Sequence, residues 1–96
     1  MKLASRNIGT FHIDYEMIES FPDEVVWLLS KVFIIRAEYE PAYEAIKYTA
    51  ICPLFYKCPK GYIPYHYDVA YERSQDMRTI RVIGFRDGDK VITWGR

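Results

Sequence analysis

The chain has 96 residues, half of them hydrophobic, and equal numbers of Lys/Arg and Asp/Glu. That length and apolar fraction suit one domain with its own core, residues 1–96, and exclude general disorder. A net charge of zero gives no overall attraction to nucleic acid or to an anionic membrane. The charge is unevenly placed: residues 1–48 carry five basic and eight acidic side chains, and residues 49–96 carry eight basic and five acidic ones. Apolar stretches such as residues 32–35 are far too short to cross a bilayer, and no signal-peptide pattern follows Met1, so a cytoplasmic location is expected.

In chain order, residues 8–15 alternate as a strand, with Phe11, Ile13 and Tyr15 on one face and His12 and Asp14 on the other. Ser20-Phe21-Pro22-Asp23 reads as a helix start, with Ser20 as the cap, Pro22 in the first turn and acidic residues at the positive end of the dipole. Val25, Leu28, Leu29 and Val32 then form an apolar stripe that must pack on a sheet. Trp27 falls about 160° around the wheel from that stripe, where it is either covered by a loop or offered to a partner.

Residues 33–40 alternate again, Pro41 interrupts, and residues 43–52 place Ile46, Tyr48, Ala50 and Cys52 on one side. This is the pattern of a hairpin, although residues 44–51 also fit a helix. Residues 53–64 hold Pro53, Pro59, Gly61 and Pro64, yet Leu54, Phe55, Tyr56, Tyr62 and Ile63 make the segment unusually apolar for a connector. Residues 65–72 alternate, with Tyr65, Tyr67 and Val69 opposite His66 and Asp68. Residues 77–86 form a strand with Ile80 and Val82 on one face and Ile83 and Phe85 on the other. Asp87-Gly88 signals a tight hairpin, and residues 90–94 complete a last strand. The expected fold is α+β: an antiparallel sheet of about five or six strands with a single N-terminal helix packed on one face.

The two histidines sit in matching His-x-Asp tripeptides, His12/Asp14 and His66/Asp68. On strands, each tripeptide puts an imidazole and a carboxylate on the same face. If the two strands are neighbours, the four residues suit a divalent transition metal; otherwise they make simple His–Asp contacts on a solvated face. Acid–base chemistry would also need a nucleophile and an oxyanion site. No Gly-x-Ser-x-Gly elbow, phosphate loop or dinucleotide fingerprint is present, and Ser5, Ser20, Ser30 and Ser74 lack a catalytic context. Cys52 and Cys58 are separated by five residues, not the two of a zinc or redox motif. Cys52 reads as a small core residue, and Cys58 as the more accessible thiol.

Tyr67 with Arg78 and Arg86 offers the aromatic and cationic groups of a single-strand nucleic-acid binder, but Arg81 points the other way and the run is no single stripe. Nine tyrosines, Trp27 and the Pro-framed loop are the residue types that dominate protein interfaces. The first expectation is therefore a non-enzymatic interaction or inhibitor module that masks a protein partner, anchored by Trp27, Phe55, Tyr56 and Tyr62. The second is a small metal- or ligand-binding protein using His12, Asp14, His66 and Asp68, and the third an RNA or single-stranded DNA binder. No cofactor, catalytic residue or membrane contact is expected for the first reading; self-association is an alternative to a foreign partner. No family is matched by motif. In general profile only, the chain resembles small aromatic-rich accessory proteins of phages and mobile elements, which implies action by occluding a host or defence protein.

Overall fold

Six strands and two helices follow one another along residues 6–95, the part of the chain that this computed structural model describes. The strands are β1 (Ile8–Asp14), β2 (Phe33–Glu40), β3 (Ala45–Ile51), β4 (Tyr65–Arg73), β5 (Ile80–Asp87) and β6 (Lys90–Thr93). The helices are α1 (Tyr15–Ser20) and α2 (Pro22–Ser30). All six strands join one sheet in the order β2-β3-β1-β4-β5-β6.

The α+β class is as expected, but the sheet is mixed. β1 and β4 run parallel through Gly9–Tyr65, Thr10–His66 and Phe11–Tyr67, while the other neighbours are antiparallel. Alternation reveals which face a residue takes, not the direction of the neighbouring strand, and the long connection between β1 and β4 permits either direction. The helical part also differs. Asp14 accepts a hydrogen bond from the Met17 N–H at 2.8 Å and so caps a first helix, α1, directly after β1. Tyr15 is therefore helical. α2 then starts at Pro22, with Phe21 rather than Ser20 in the cap position and no side-chain cap. Residues 45–51 are strand, and a 3-10 turn at Pro41–Tyr43 followed by Glu44 at φ 48° closes the β2–β3 hairpin.

The core lies between α2 and one face of the sheet. Phe11 and Ile13 of β1, Tyr48 and Ala50 of β3, Tyr67 of β4, and Val82 and Phe85 of β5 meet Val25 and Leu28 of α2. Phe55, from the loop after β3, completes this layer at 2 % exposure. It stacks on Tyr67 with centroids 4.5 Å apart and touches Phe85 at 4.6 Å. The Tyr67 hydroxyl accepts the Tyr56 N–H at 2.8 Å, which ties the loop down. Gly9 makes room for these rings: a Cβ there would stand 2.6 Å from Tyr67 and 2.9 Å from Phe55.

The C-terminal strands shift two further expectations. The β4–β5 register slips between Ala70 and Tyr71, whose partners are Gly84 and Val82, so Ile83 is the extra residue of a bulge. The bulge reverses the alternation and puts Phe85 on the core side with Val82, not opposite it. The last hairpin loop is Gly88-Asp89, because Asp87 already pairs with Lys90. Gly88 supplies the positive φ of 59° that the turn requires. Past β6, the ladder ends where Trp94 N–H meets Ile83 O, and the next donor, Val82 N–H, reaches the Glu24 carboxylate of α2 at 2.7 Å. Among the described residues no helix is long and apolar enough to cross a membrane.

Candidate functional site

The opposite face of the sheet is open. Thr10 and His12 alternate with the buried Phe11 and Ile13, so they project away from the core. With His66 and Asp68 of β4, Lys47 and Thr49 of β3, and Arg36, Glu38 and Glu40 of β2, they line a broad cleft of about 1110 Å³.

The structure brings His12 and His66 together. Thr10 stands opposite His66 in the parallel pair, and His12 lies one step along the same face. His12 Nδ1 and His66 Nε2 are 3.1 Å apart, and the rings lie at 60° to each other. The outer nitrogens also have neighbours. His66 Nδ1 is 2.8 Å from Thr10 Oγ1, and His12 Nε2 is 3.4 Å from Glu40 Oε2. The latter is ion-pair range, but its geometry does not make a hydrogen bond, and that nitrogen is otherwise buried without a partner. Glu40 reaches His12 across β3 because Ala45, the residue opposite both Asp14 and Glu40, is small.

Two proton arrangements satisfy this row. In the neutral one, Thr10 O–H donates to His66 Nδ1, His66 Nε2–H donates to His12 Nδ1, and His12 Nε2–H faces Glu40. In the charged one, His12 carries both protons and donates to His66 Nε2. His66 Nδ1–H then donates to Thr10, whose own hydroxyl turns to the Tyr65 carbonyl 3.5 Å away. Burial first, and then the neighbouring His12, hold His66 below its ordinary pKa of 6.5, so His66 is the neutral ring of the pair near pH 7.

The four-residue metal set does not assemble. Asp14 is turned to cap α1, and Asp68 lines the cleft without joining the His12–His66 contact. Among the described residues no group of three or more His, Cys, Asp or Glu side chains is placed to hold a metal ion. Thr10 and Glu40 are the members of the row that sequence reasoning missed. The spacing Thr10-x-His12-x-Asp14 signals the first. Glu40 has no local signal, because its approach depends on the β2–β3–β1 order.

The proposed interface anchors separate. Phe55 is a core residue and cannot touch a partner without unfolding the loop. Trp27 is half-buried and packs edge-on against Trp94 at 5.3 Å, at the margin of the core. Trp94, just past β6, therefore covers the side of α2 that the helical wheel left open. Tyr56 is also half-buried and donates its hydroxyl to Asp87 Oδ2 at 3.0 Å. Tyr62 alone of the four is freely exposed, at 71 %. Tyr67, the stacking residue of the nucleic-acid reading, is 1 % exposed and cannot meet a base, while Arg78 and Arg86 stay on the surface. Cys58 is buried, not accessible, with its thiol directed at the Tyr62 carbonyl 3.5 Å away.

A further apolar surface lies exposed on β2. β2 is an edge strand of eight residues, and among the described residues nothing pairs with its outer side. Phe33, Ile35 and Tyr39 on it are 70 %, 48 % and 58 % exposed. The other edge, β6, has only four residues and opens with Lys90, a residue that discourages strand pairing. The alternation of residues 33–40 was legible as a strand; its place at the edge was not. No protein-family model, curated protein or solved structure matches the chain.

Proposed function

We propose that this chain is a non-enzymatic protein-interaction module that captures an extended segment of a partner protein as a further strand along β2, and so masks that segment. One observation carries the reading: a long sheet edge whose outer backbone groups are unpaired among the described residues, with Phe33, Ile35 and Tyr39 exposed. Such an edge is a ready template for main-chain hydrogen bonds, and natural proteins usually shorten, charge or cover it. Here the only charges along it are Arg36, Glu38 and Glu40, all on the open face, and Arg36 is already paired with Glu38 at 3.2 Å.

The side chains define the partner. Its strand places a carboxylate opposite Arg36 and a cation opposite Glu38, with apolar groups beside Tyr39 and Ile35. The main chain supplies affinity, and this alternation supplies specificity.

The test is capture from a lysate followed by binding measurements with the purified partner. Ala37→Lys and Tyr39→Lys place lysines on exposed positions of the edge and leave the β2–β3 ladder intact. The proposal expects both variants to fold and to lose at least ten-fold in affinity. An Arg36→Glu, Glu38→Arg exchange should weaken binding as well. Undiminished binding by the lysine variants would overturn the reading. So would a purified wild-type chain of twice the monomer mass that the lysine variants return to monomer, since a second copy would then occupy the edge.

A further inference from the structure

We propose that His12 and His66 form a two-histidine chelate for a divalent first-row transition ion of the zinc or nickel type, bound through His12 Nδ1 and His66 Nε2. This proposal does not rest on strand capture at β2, although Glu40 belongs to that strand.

The two inner nitrogens face each other at 3.1 Å. Two imidazole nitrogens that each lie about 2.0–2.1 Å from one tetrahedral ion are themselves about 3.4 Å apart, so the rings need to part slightly and tilt until both lone pairs point at the ion. In the metal-free row one proton must sit between these nitrogens, since two lone pairs at this distance repel. An ion takes the place of that proton and lets both nitrogens act as donors.

The outer nitrogens complete the case. A metal-bound histidine offers its other N–H to a carboxylate, hydroxyl or carbonyl, which fixes the tautomer and the ring orientation. His66 Nδ1 has the Thr10 hydroxyl at 2.8 Å, and His12 Nε2 has the Glu40 carboxylate at 3.4 Å. With Nδ1 of His12 on an ion, its buried Nε2 must carry a proton, and Glu40 is the acceptor placed to receive it. Both rings rise from the two central strands, so the pair is held by the most constrained part of the sheet.

Imidazole donors select zinc, nickel or copper over magnesium and calcium. Among the described residues two donors are placed for the ion, so the remaining positions open onto the cleft and belong to water or to a small anionic ligand. Such a site is exchangeable and does not hold the fold together. Asp14, committed to the α1 cap, is no ligand.

Isothermal titration of the full chain with ZnCl₂ and NiCl₂ near neutral pH tests this. The expected result is saturable uptake of one ion per chain, with a matching rise in melting temperature. His12→Gln and His66→Gln should each keep the native circular dichroism spectrum, because both side chains lie on the open face, and each should lose at least ten-fold in affinity. Glu40→Gln should weaken binding by about ten-fold with the stoichiometry unchanged. Manganese, at the weak end of the divalent series, should bind less tightly than either ion. No saturable uptake of zinc or nickel by the wild-type chain would overturn the proposal. Undiminished affinity in either histidine variant would do the same.

Discussion

Replacing Phe55 with Ala separates a core role from an interface role for the loop after β3. The ring is 2 % exposed and lies against three others: Tyr67 at 4.5 Å, Phe85 at 4.6 Å and Phe11 at 6.3 Å. Its removal opens a void beneath the sheet that the rigid β1 and β4 strands cannot close. Truncation of a buried Phe costs about 3–5 kcal/mol from lost burial and the residual cavity. In a chain of this size each kcal/mol moves the melting temperature by about 4–8 °C, so a fall of at least ~12 °C is expected. Tyr62→Ala, in the same loop but 71 % exposed, should change stability by less than about 0.5 kcal/mol. Urea titrations followed by circular dichroism give both values. If Phe55→Ala lost less than about 1 kcal/mol, the loop would not plug the core, and Phe55 would return as an interface residue.

Gly88→Val should cost about 1–2 kcal/mol, because a β-branched residue must then take the positive φ of 59° found at the last hairpin; an unchanged urea midpoint would show that the turn has another geometry. His66 gives a pH dependence. Its folded-state pKa lies below the ordinary 6.5, so the unfolded chain binds that proton more readily. The associated stability is complete above pH 6.5 and is lost as the pH falls through the folded-state value. Melts recorded with a chelator present should show this acid-side loss in the wild-type chain and a reduced loss in His66→Gln. An identical slope in both would refute the assignment.

Much of the fold could be read from local pattern, because burial on one face leaves a period. Phe11 and Ile13 against His12, and Tyr48 and Ala50 against Lys47 and Thr49, mark both faces of the central strands. Val25 and Leu28 mark the buried stripe of α2. What escaped depends on contacts distant in sequence or on a single local competition. Asp14 could be a ligand or a helix cap, and the Met17 N–H decided it. One bulge residue, Ile83, was enough to move Phe85 to the other face. Phe55 looked like a loop anchor because nothing nearby in sequence shows that Gly9 leaves a slot for its ring. The His12–His66 pairing needed β1 and β4 to be neighbours. The Glu40 contact needed β3 and β2 to follow β1 in the sheet, with the small Ala45 opposite Glu40. Strand order fixes both, and a single strand carries no record of it. The same limit concealed the exposed edge of β2, whose sequence alternates like that of an interior strand although its pairing slips at Ile35.

Hydrogen exchange along residues 33–40, measured for the free chain and for its complex with the captured partner, bears most directly on strand capture. In the free chain the outward amides of β2 should exchange far faster than those of β1, the central strand. In the complex these same amides should gain protection as they enter a new ladder, while α2 stays unchanged. A complex that forms with β2 exchange unaltered, and with protection confined to residues 59–63 or to the cleft, would contradict the proposal.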